Sequence, residues 1–439
     1  MSLNNLEQKQ YDDLLKDLFS LRRGGASRGF GGIEALFSKF GNPHQKLNCV
    51  QIAGTNGKGS TGAFLEAIFQ QNGIRTGFFS SPHLIHFRER FRVDGQAVSD
   101  VYLFPVLKRV MEIAKTLNVA VFFFEIITVV ATLLFVEMDV ELPIFEVGLG
   151  GRLDPTTVIP SQLSIITSIG RDHQQFLGEE LSQIAREKSG IMRKDVPLVV
   201  GEVKKDIKNI ILNEAKLHLA KDLYFYSEDF RLILNKDHDS KNQGDKRELA
   251  SFIFDKKMIN NIEIGLNGDF QHSNLAVALM ATSLLQKKGF LVSNKEIKRA
   301  TKSVRWLGRM ERYHLEGHLI WVDGAHNVEA MKALFSSLPQ KSLRLIFGCA
   351  KDKDMKGMLQ IASSSCSAFH FCEIEEKRSY SANELLKTAS NMLLGKETFA
   401  EIDLESALKN AISLAKDGEE IVICGSLFLV GAFHRLMAT

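Results

Sequence analysis

Short apolar runs alternate with stretches in which apolar residues recur every three or four positions, and this alternation continues along most of the chain. The short runs read as buried strands. They are Leu47–Ala53, Arg75–Phe79, Leu142–Val147, Leu163–Ile169, Val196–Val200, Leu319–Val322, Ser342–Phe347, Ser367–Cys372 and Glu420–Cys424. The periodic stretches between them read as helices, among them Thr61–Gln70, Val101–Leu117, Leu181–Met192, Phe270–Lys287 and Asn327–Ser337. Strand–helix alternation of this kind predicts parallel sheets covered by helices on both faces.

The expected class is α/β: a P-loop-type, mostly parallel sheet domain followed by a smaller Rossmann-like α/β domain. The boundary is placed after Ser303, giving domains 1–303 and 304–439, because a fresh series of strands and helices begins after Arg305-Trp306-Leu307-Gly308-Arg309. Residues 233–262 break the pattern; they are polar and charge-rich from Asn235 to Lys246 and read as loops or a hairpin. Leu6–Phe40 reads as two short helices around Arg22-Arg23-Gly24-Gly25. Val119–Val136 is almost continuously apolar and about long enough for a bilayer. Glu125, Thr128 and Thr132 interrupt it, so it is read as a buried strand, Val119–Phe124, followed by a buried helix from about Ile126.

A length of 439 residues exceeds one compact core, in keeping with two or three domains. A hydrophobic share of 45% and a charged share of 24% are those of a soluble globular chain. The net charge of +3 is too small to argue for nucleic acid or a membrane surface. Five cysteines, without a C-x-x-C pair and mostly in apolar runs, are expected to be buried free thiols, with neither disulfide nor zinc. The polar Asn4–Asp17 stretch has no secretory pattern, and a cytoplasmic protein is expected.

Candidate chemistry gathers at the ends of the expected strands. Gly54-Thr55-Asn56-Gly57-Lys58-Gly59-Ser60 joins a strand to a helix. Such a turn cradles phosphate, because glycines let N–H groups approach the anion and the helix end adds positive potential. Lys58 would reach the outer phosphates, and Ser60 or Thr61 would face magnesium. The spacing departs from the usual phosphate-loop string; nucleotide binding is the favoured reading of these residues, and a glycine-rich turn with an exposed lysine is the alternative. Ser80-Ser81-Pro82-His83-Leu84 is a metal- or phosphate-binding strand end, or a plain turn. Glu146, just before Gly148, Gly150 and Gly151, is costly to bury unpaired; a divalent ion or an arginine would offset it. His173, after Ser168-Ile169-Gly170-Arg171-Asp172, is a ligand, a proton carrier or a strand cap. Lys188 sits in a helical pattern, where a surface lysine is the plain reading. In the second domain Asp323, in Trp321-Val322-Asp323-Gly324-Ala325-His326-Asn327, has the placement of a ribose-binding acid, and Asn327 that of a helix cap.

Taken in order, these stretches resemble the folylpolyglutamate synthase and dihydrofolate synthase family, within the Mur ligase superfamily. The matching segments also include Arg88-Glu89-Arg90, Phe124-Glu125 with Thr128, Gly308-Arg309 with Glu311, Lys351–Asp354 and Gly425-Ser426-Leu427, so that about Gly25 to Val430 is covered. The resemblance implies an ATP-dependent amide ligase that forms an acyl phosphate and passes the acyl group to L-glutamate. It implies ATP phosphates on Gly54, Thr55, Asn56, Gly57, Lys58, Gly59, Ser60 and Thr61, and adenine near Asn274. Arg309 and Asp323 would contact phosphate and ribose, and His326 would lie close to the terminal phosphate. Ser81, Glu146 and His173 would hold one magnesium ion, and a carbamylated Lys188 would help hold a second. Phe124 and Asp154 would line the pterin pocket for dihydropteroate or folate. Lys58, Lys188, His173 and His326 are thus the expected catalytic group. Small-molecule partners only, and a monomer, are expected.

Three departures from the family pattern stand out: Leu153-Asp154-Pro155-Thr156-Thr157 in place of Leu-Asp-Ala-Thr-Asn, Leu307 in place of proline before Gly308-Arg309, and Val328 after Asn327. The first touches the expected pterin wall. The alternatives are a superfamily ligase acting on a cell-wall nucleotide precursor, which Phe124-Glu125 and Ser80–Leu84 oppose, a P-loop ATPase coupled to a protein partner, and a silent binding protein.

Overall fold

The computed structural model describes residues 3–21, 29–235, 249–339, 341–376 and 378–438. The turn at Arg22-Arg23-Gly24-Gly25 and most of the polar segment Asn235–Lys246 lie outside the described residues. The chain divides into two compact units. The first comprises Met1–Gly170, Gln174–Gly265 and Ser273–Val304; the second comprises Arg171–His173, Leu266–His272 and Arg305–Thr439.

In the first unit, β1 (Cys49–Ala53), β2 (Thr76–Phe79), β3 (Phe91–Val93), β4 (Gln96–Ala97), β5 (Leu142–Glu146), β6 (Ser161–Ile166), β7 (Pro197–Val200) and β8 (Lys221–Phe225) form one sheet. Its order is β4-β3-β2-β5-β1-β6-β7-β8. Pairing is parallel from β2 to β8, and β3 and β4 add an antiparallel edge. Every residue of β1, β5 and β6 is buried, as a parallel sheet covered on both faces requires. Register pairs Ile52 with Glu146 and Ala53 with Ile166, so the turns leaving β1, β5 and β6 emerge side by side at the carboxyl edge. That edge is where open α/β sheets bind ligands.

Helix Phe123–Glu137 packs in the core beside Leu103, Phe104, Leu107 and Val110 of helix Asp100–Ala114. Each such side chain contributes roughly 1.5–3 kcal/mol by leaving water. This corrects the strand expected at Val119–Phe124, because no strand forms there. Glu125 explains the difference: its carboxylate accepts the Phe122 N–H at 2.8 Å and the Ile33 N–H at 3.2 Å, fixing the helix start at Phe123. Among the described residues no helix is long and apolar enough to cross a membrane.

The region expected as loops or a hairpin holds β9 (Phe230–Leu234), β10 (Leu249–Phe254) and β11 (Lys257–Glu263), a three-stranded antiparallel sheet. Asp255 and Lys256 close its second hairpin with both φ values positive, which suits a two-residue turn to the twist of the strands.

The second unit has β12 (Glu311–Leu315), β13 (His318–Val322), β14 (Leu343–Phe347), β15 (Cys366–Cys372), β16 (Glu397–Glu401) and β17 (Glu420–Cys424). They are ordered β12-β13-β17-β14-β15-β16, and only β12 is antiparallel. Its core joins Leu345 and Phe347 of β14 to Met331, Leu334 and Phe335 of helix Val328–Ser337.

Candidate active site

Gly54–Ser60 leads from the end of β1 into helix Lys58–Gln71. Close packing excludes side chains at two positions of this turn. A Cβ on Gly54, at φ +155°, would lie 1.9 Å from Thr167 Oγ1, and one on Gly57, at φ +87°, would lie 2.3 Å from Asn274 Oδ1. Asn274 therefore stands against the turn at Gly57. The loop is braced by the turn after β6. Thr55 N–H donates to Ser168 O at 2.9 Å, Asn56 N–H to Ser168 Oγ at 3.0 Å, and Thr167 Oγ1 to Asn56 O at 2.7 Å. The helix that starts at Lys58 brings its first-turn N–H groups and the positive end of its dipole to the same place. Ser60 and Thr61 are both buried, and Thr61 Oγ1 has no hydrogen-bond partner among the described residues.

Two lysines meet at one carbonyl. Lys58 Nζ donates to Gly54 O at 3.1 Å and Lys188 Nζ donates to the same oxygen at 3.0 Å. Glu146 ends β5 beside them, with Oε1 3.8 Å from Lys58 Nζ and Oε2 accepting the Ser81 N–H at 3.3 Å. Glu146 and Lys188 are each only 5% exposed. Lys188, whose plain sequence reading is a surface side chain, is thus a buried group whose Nζ reaches the Gly54–Ser60 turn.

Asp154 is also buried, and it organises the loop that leaves Glu146. Its Oδ2 accepts the Gly148 and Leu149 N–H groups, each at 3.0 Å, and its Oδ1 accepts Thr156 N–H at 3.0 Å and Thr156 Oγ1 at 2.6 Å. Burial pushes its carboxyl above the ordinary range, against these donors. Phe124 is half-buried, 5.7 Å from the Phe79 ring centre, and its ring edge fills the space where a Cβ on Gly148 would stand.

In the second unit Arg309 and Asp323 flank the Gly324 turn. Arg309 Nη1 donates to Gly308 O at 2.8 Å and occupies the space a Cβ on Gly324 would need. Asp323 accepts the Met310 N–H at 2.9 Å and the Ala325 N–H at 2.7 Å, and burial raises its pKa against the pull of Arg309. Asn327 Oδ1 accepts the Ala330 N–H at 2.8 Å and caps the next helix. Asp172 gathers a cluster that sequence reading missed: Lys353 Nζ donates to it at 2.6 Å and Asn327 Nδ2 at 3.1 Å, while His326 Nε2 lies 3.6 Å away. Burial pushes the Asp172 carboxyl up, but the neighbouring His326, Lys353 and His173 hold it far below the ordinary range. His173 belongs to this unit, at φ +51°, with its N–H on Asp172 Oδ1 at 2.8 Å. Lys353 falls in the Lys351–Asp354 stretch, but nothing local in the sequence names its partner.

Among the described residues no group of three or more His, Cys, Asp or Glu side chains is assembled as a metal cluster. In the first unit the Glu146 carboxylate accepts the Ser81 N–H and lies 3.8 Å from Lys58 Nζ, which shares Gly54 O with Lys188. Of these residues, Glu146 and Ser81 carry side-chain oxygens, the donor type that suits a hard divalent cation such as magnesium.

Residues 52–282 match the family model of the Mur ligase middle domain, and residues 308–427 match that of the Mur ligase glutamate ligase domain. The chain is 30% identical to the dihydrofolate synthase/folylpolyglutamate synthase of Bacillus subtilis, over 97% of this chain and 98% of that protein. The solved structure of E. coli FolC in complex with DHPP and ADP superposes with a TM-score of 0.85 at 27% identity, covering 98% of this chain and 97% of that one. The bifunctional folylpolyglutamate synthase/dihydrofolate synthase of Yersinia pestis, solved with AMPPNP and a Mn ion, gives 0.84 at 27% identity, covering 98% of each chain.

Proposed function

This chain belongs to the dihydrofolate synthase/folylpolyglutamate synthase family of ATP-dependent Mur-type ligases, and we propose that it joins L-glutamate to dihydropteroate, to folate polyglutamate tails, or to both. The pterin substrate's carboxylate takes the γ-phosphoryl group of ATP, releasing ADP. The α-amine of glutamate then attacks the acyl carbon, the bond to phosphate breaks, and the amine gives up its proton as the amide forms.

The observation that carries this reading is the meeting of Lys58 and Lys188 at Gly54 O beside Glu146. The bare backbone of Gly54–Ser60 and the start of helix Lys58–Gln71 bind the phosphate oxygens, and Lys58 offsets the charge that develops on transfer. Two ammonium groups on one carbonyl oppose each other. Carbamylation of Lys188 removes that repulsion and turns the side chain into an oxygen donor. Ser81 and Glu146, with carbamylated Lys188, would hold magnesium, which supplies polarisation of the phosphoryl oxygens. Asn274 orients the adenine from beside Gly57, and Phe124 offers its half-buried ring to the pterin. In the second unit Arg309 and Asp323 serve nucleotide binding, and His326, held by Asp172, serves the terminal phosphate. The reading takes the protein to work in the cytoplasm as a monomer.

Phosphate release from ATP tests this reading. It is expected to need glutamate together with dihydropteroate or tetrahydrofolate, and comparison of these two acceptors fixes the preference. Full ATPase activity with neither substrate would favour an ATPase coupled to a protein partner.

A further inference from the structure

Asp154-Pro155-Thr156-Thr157, the tetrapeptide that departs from the family pattern, ties together the two chain segments that carry Glu146 and Lys188. Its first residue, Asp154, holds the loop leaving Glu146 through Gly148 and Leu149. Its last, Thr157, has every polar group engaged. Thr157 Oγ1 donates to Gly151 O at 2.7 Å and accepts from Gln51 Nε2 at 2.9 Å. Its N–H donates to Asp154 O at 2.8 Å, and its carbonyl accepts Arg193 Nη2 at 2.5 Å. Arg193 Nη1 in turn donates to Gly190 O at 3.1 Å and Met192 O at 2.8 Å, just past the helix Leu181–Ser189 that bears Lys188.

The loop and the helix end approach closely. A Cβ on Gly151 would lie 2.8 Å from Glu187 O and 2.9 Å from Lys188 O, and one on Gly190 would lie 2.4 Å from Arg152 Cα. Arg152 N–H donates to Glu187 O at 2.8 Å across the same seam. The Arg152 side chain also crosses the seam, donating from Nε and Nη2 to Glu187 Oε1 at 3.0 and 2.6 Å, and the hydrogen bonds of Thr157 and Arg193 add to the contacts that set the spacing.

Gln51 locks the arrangement from inside β1. The hydroxyl hydrogens of Thr156 and Thr157 are spent on Asp154 Oδ1 and Gly151 O, so both can only accept from the glutamine, and its amide must present NH2 to them. That leaves Gln51 Oε1 buried and without a partner among the described residues. An apolar side chain would avoid this penalty, on the order of 1–3 kcal/mol, so the amide's donations to the two threonines are what the position provides.

We propose that Thr157 is a positioning residue for the ligase reaction: through Gly151, Gln51 and Arg193 it fixes the spacing between the Glu146 loop and the end of the Lys188 helix. The proposal rests on the reading of Glu146 and Lys188 as the metal-holding pair. Ligand-orienting groups of this kind are typically worth 10–100-fold in metal affinity.

The test is Mn2+ binding to the full chain in the presence of AMPPNP, read by electron paramagnetic resonance, with thermal unfolding measured alongside. Thr157→Val keeps the shape and removes the hydroxyl; it is expected to weaken Mn2+ binding roughly tenfold. Thr157→Ser, which keeps the hydroxyl, is expected to bind nearly as the parent does. Equal weakening by Thr157→Ser and Thr157→Val would overturn the proposal, as would unchanged Mn2+ affinity in Thr157→Val. If Thr157→Val does not fold, Gln51→Met removes both amide donations and is held to the same outcomes. Glu146→Gln separates the two levels of the argument. If it weakens Mn2+ binding while Thr157→Val does not, the positioning role fails and the metal reading stands; if Glu146→Gln binds Mn2+ normally, the metal reading itself fails, and the proposal with it.

Discussion

Two buried polar networks hold this molecule together, and they are built from opposite materials. In the first unit Gln51, Asp154, Thr156 and Thr157 use amides, hydroxyls and backbone N–H groups around a single carboxylate, at the turns beside the phosphate loop. In the second unit the network is charged. Arg344, 2% exposed, donates from Nε to Glu419 at 2.7 Å and from Nη2 to Glu397 at 2.9 Å, and its Nη1 lies 3.4 Å from His370 Nε2. It sits near the starts of β14 and β17, at the amino edge of the sheet. Burial raises the Glu419 carboxyl, but Ser367, the Lys416 N–H and Arg344 together bring it down to about 2. His370 is held down to about 4, by burial first and the Arg344 charge second. Buried charge is therefore a poor guide to chemistry in this chain. The densest ion network faces away from the strand ends where ligands bind, and its charges are matched to one another. Among the described residues, the network beside the Gly54–Ser60 turn holds Asp154 by hydrogen bonds from hydroxyl and N–H groups, while Lys58 Nζ lies 3.8 Å from Glu146.

Removing the hub of the charged network should have the largest effect. Arg344→Met leaves Glu419 and Glu397 without their cation and is expected to cost about 3–5 kcal/mol. Both tryptophans, Trp306 and Trp321, lie in the second unit, so urea unfolding followed by their fluorescence reports on that unit alone. A loss below about 1 kcal/mol would reduce the network to the level of a surface pair.

Acid should come next, at roughly 3 kcal/mol. The folded-state pKa of Glu419 lies below its ordinary 4.5, so its contribution is present above that pH and is lost as pH falls toward about 2. Tryptophan-detected unfolding is expected to show the loss between these values, and Arg344→Met to flatten it. Asp154 works in the opposite sense: its raised pKa favours the folded state when protonated, and that contribution declines as pH rises past the ordinary carboxylate range.

Lys58→Ala and Glu146→Ala should each lower turnover at least about a hundredfold, near 2.7 kcal/mol. The fluorescence transition should not move, because neither residue belongs to the second unit. A shifted transition would blur the separation between binding charge and structural charge. The smallest effect is expected from Lys353→Met, about a tenfold or 1.4 kcal/mol loss of turnover as Asp172 loses one of its donors and holds His326 less firmly. Unchanged turnover would place the Asp172 cluster with the structural network instead.

Much of this was legible along the chain because it depends on local spacing. The strand–turn–helix at Gly54–Ser60, the strand ends at Glu146 and Asp323, and the helix Phe270–Lys287 follow from apolar period and glycine placement. What was missed depends on distant partners. Gln51 reads as one polar residue in an apolar strand until it meets Thr156 and Thr157, more than a hundred positions away. Arg344 reads as a polar interruption in a strand, and Lys353 as one of several charges in a loop, until Glu419 and Asp172 are seen beside them. Val119–Phe124 misled for a local reason: an unbroken apolar run has no period, and the decisive signal was Glu125, placed to bond the N–H three residues before it.

All five cysteines are free and buried, and burial pushes Cys49, Cys349 and Cys372 up to about 12 and raises Cys366 and Cys424 well above the ordinary thiol range. At neutral pH they are protonated, and they lie out of reach of alkylating reagents. The native chain is therefore already a silent background for maleimide chemistry. A single cysteine introduced at an exposed position would carry a fluorophore or spin label alone, with no need to strip the native thiols first.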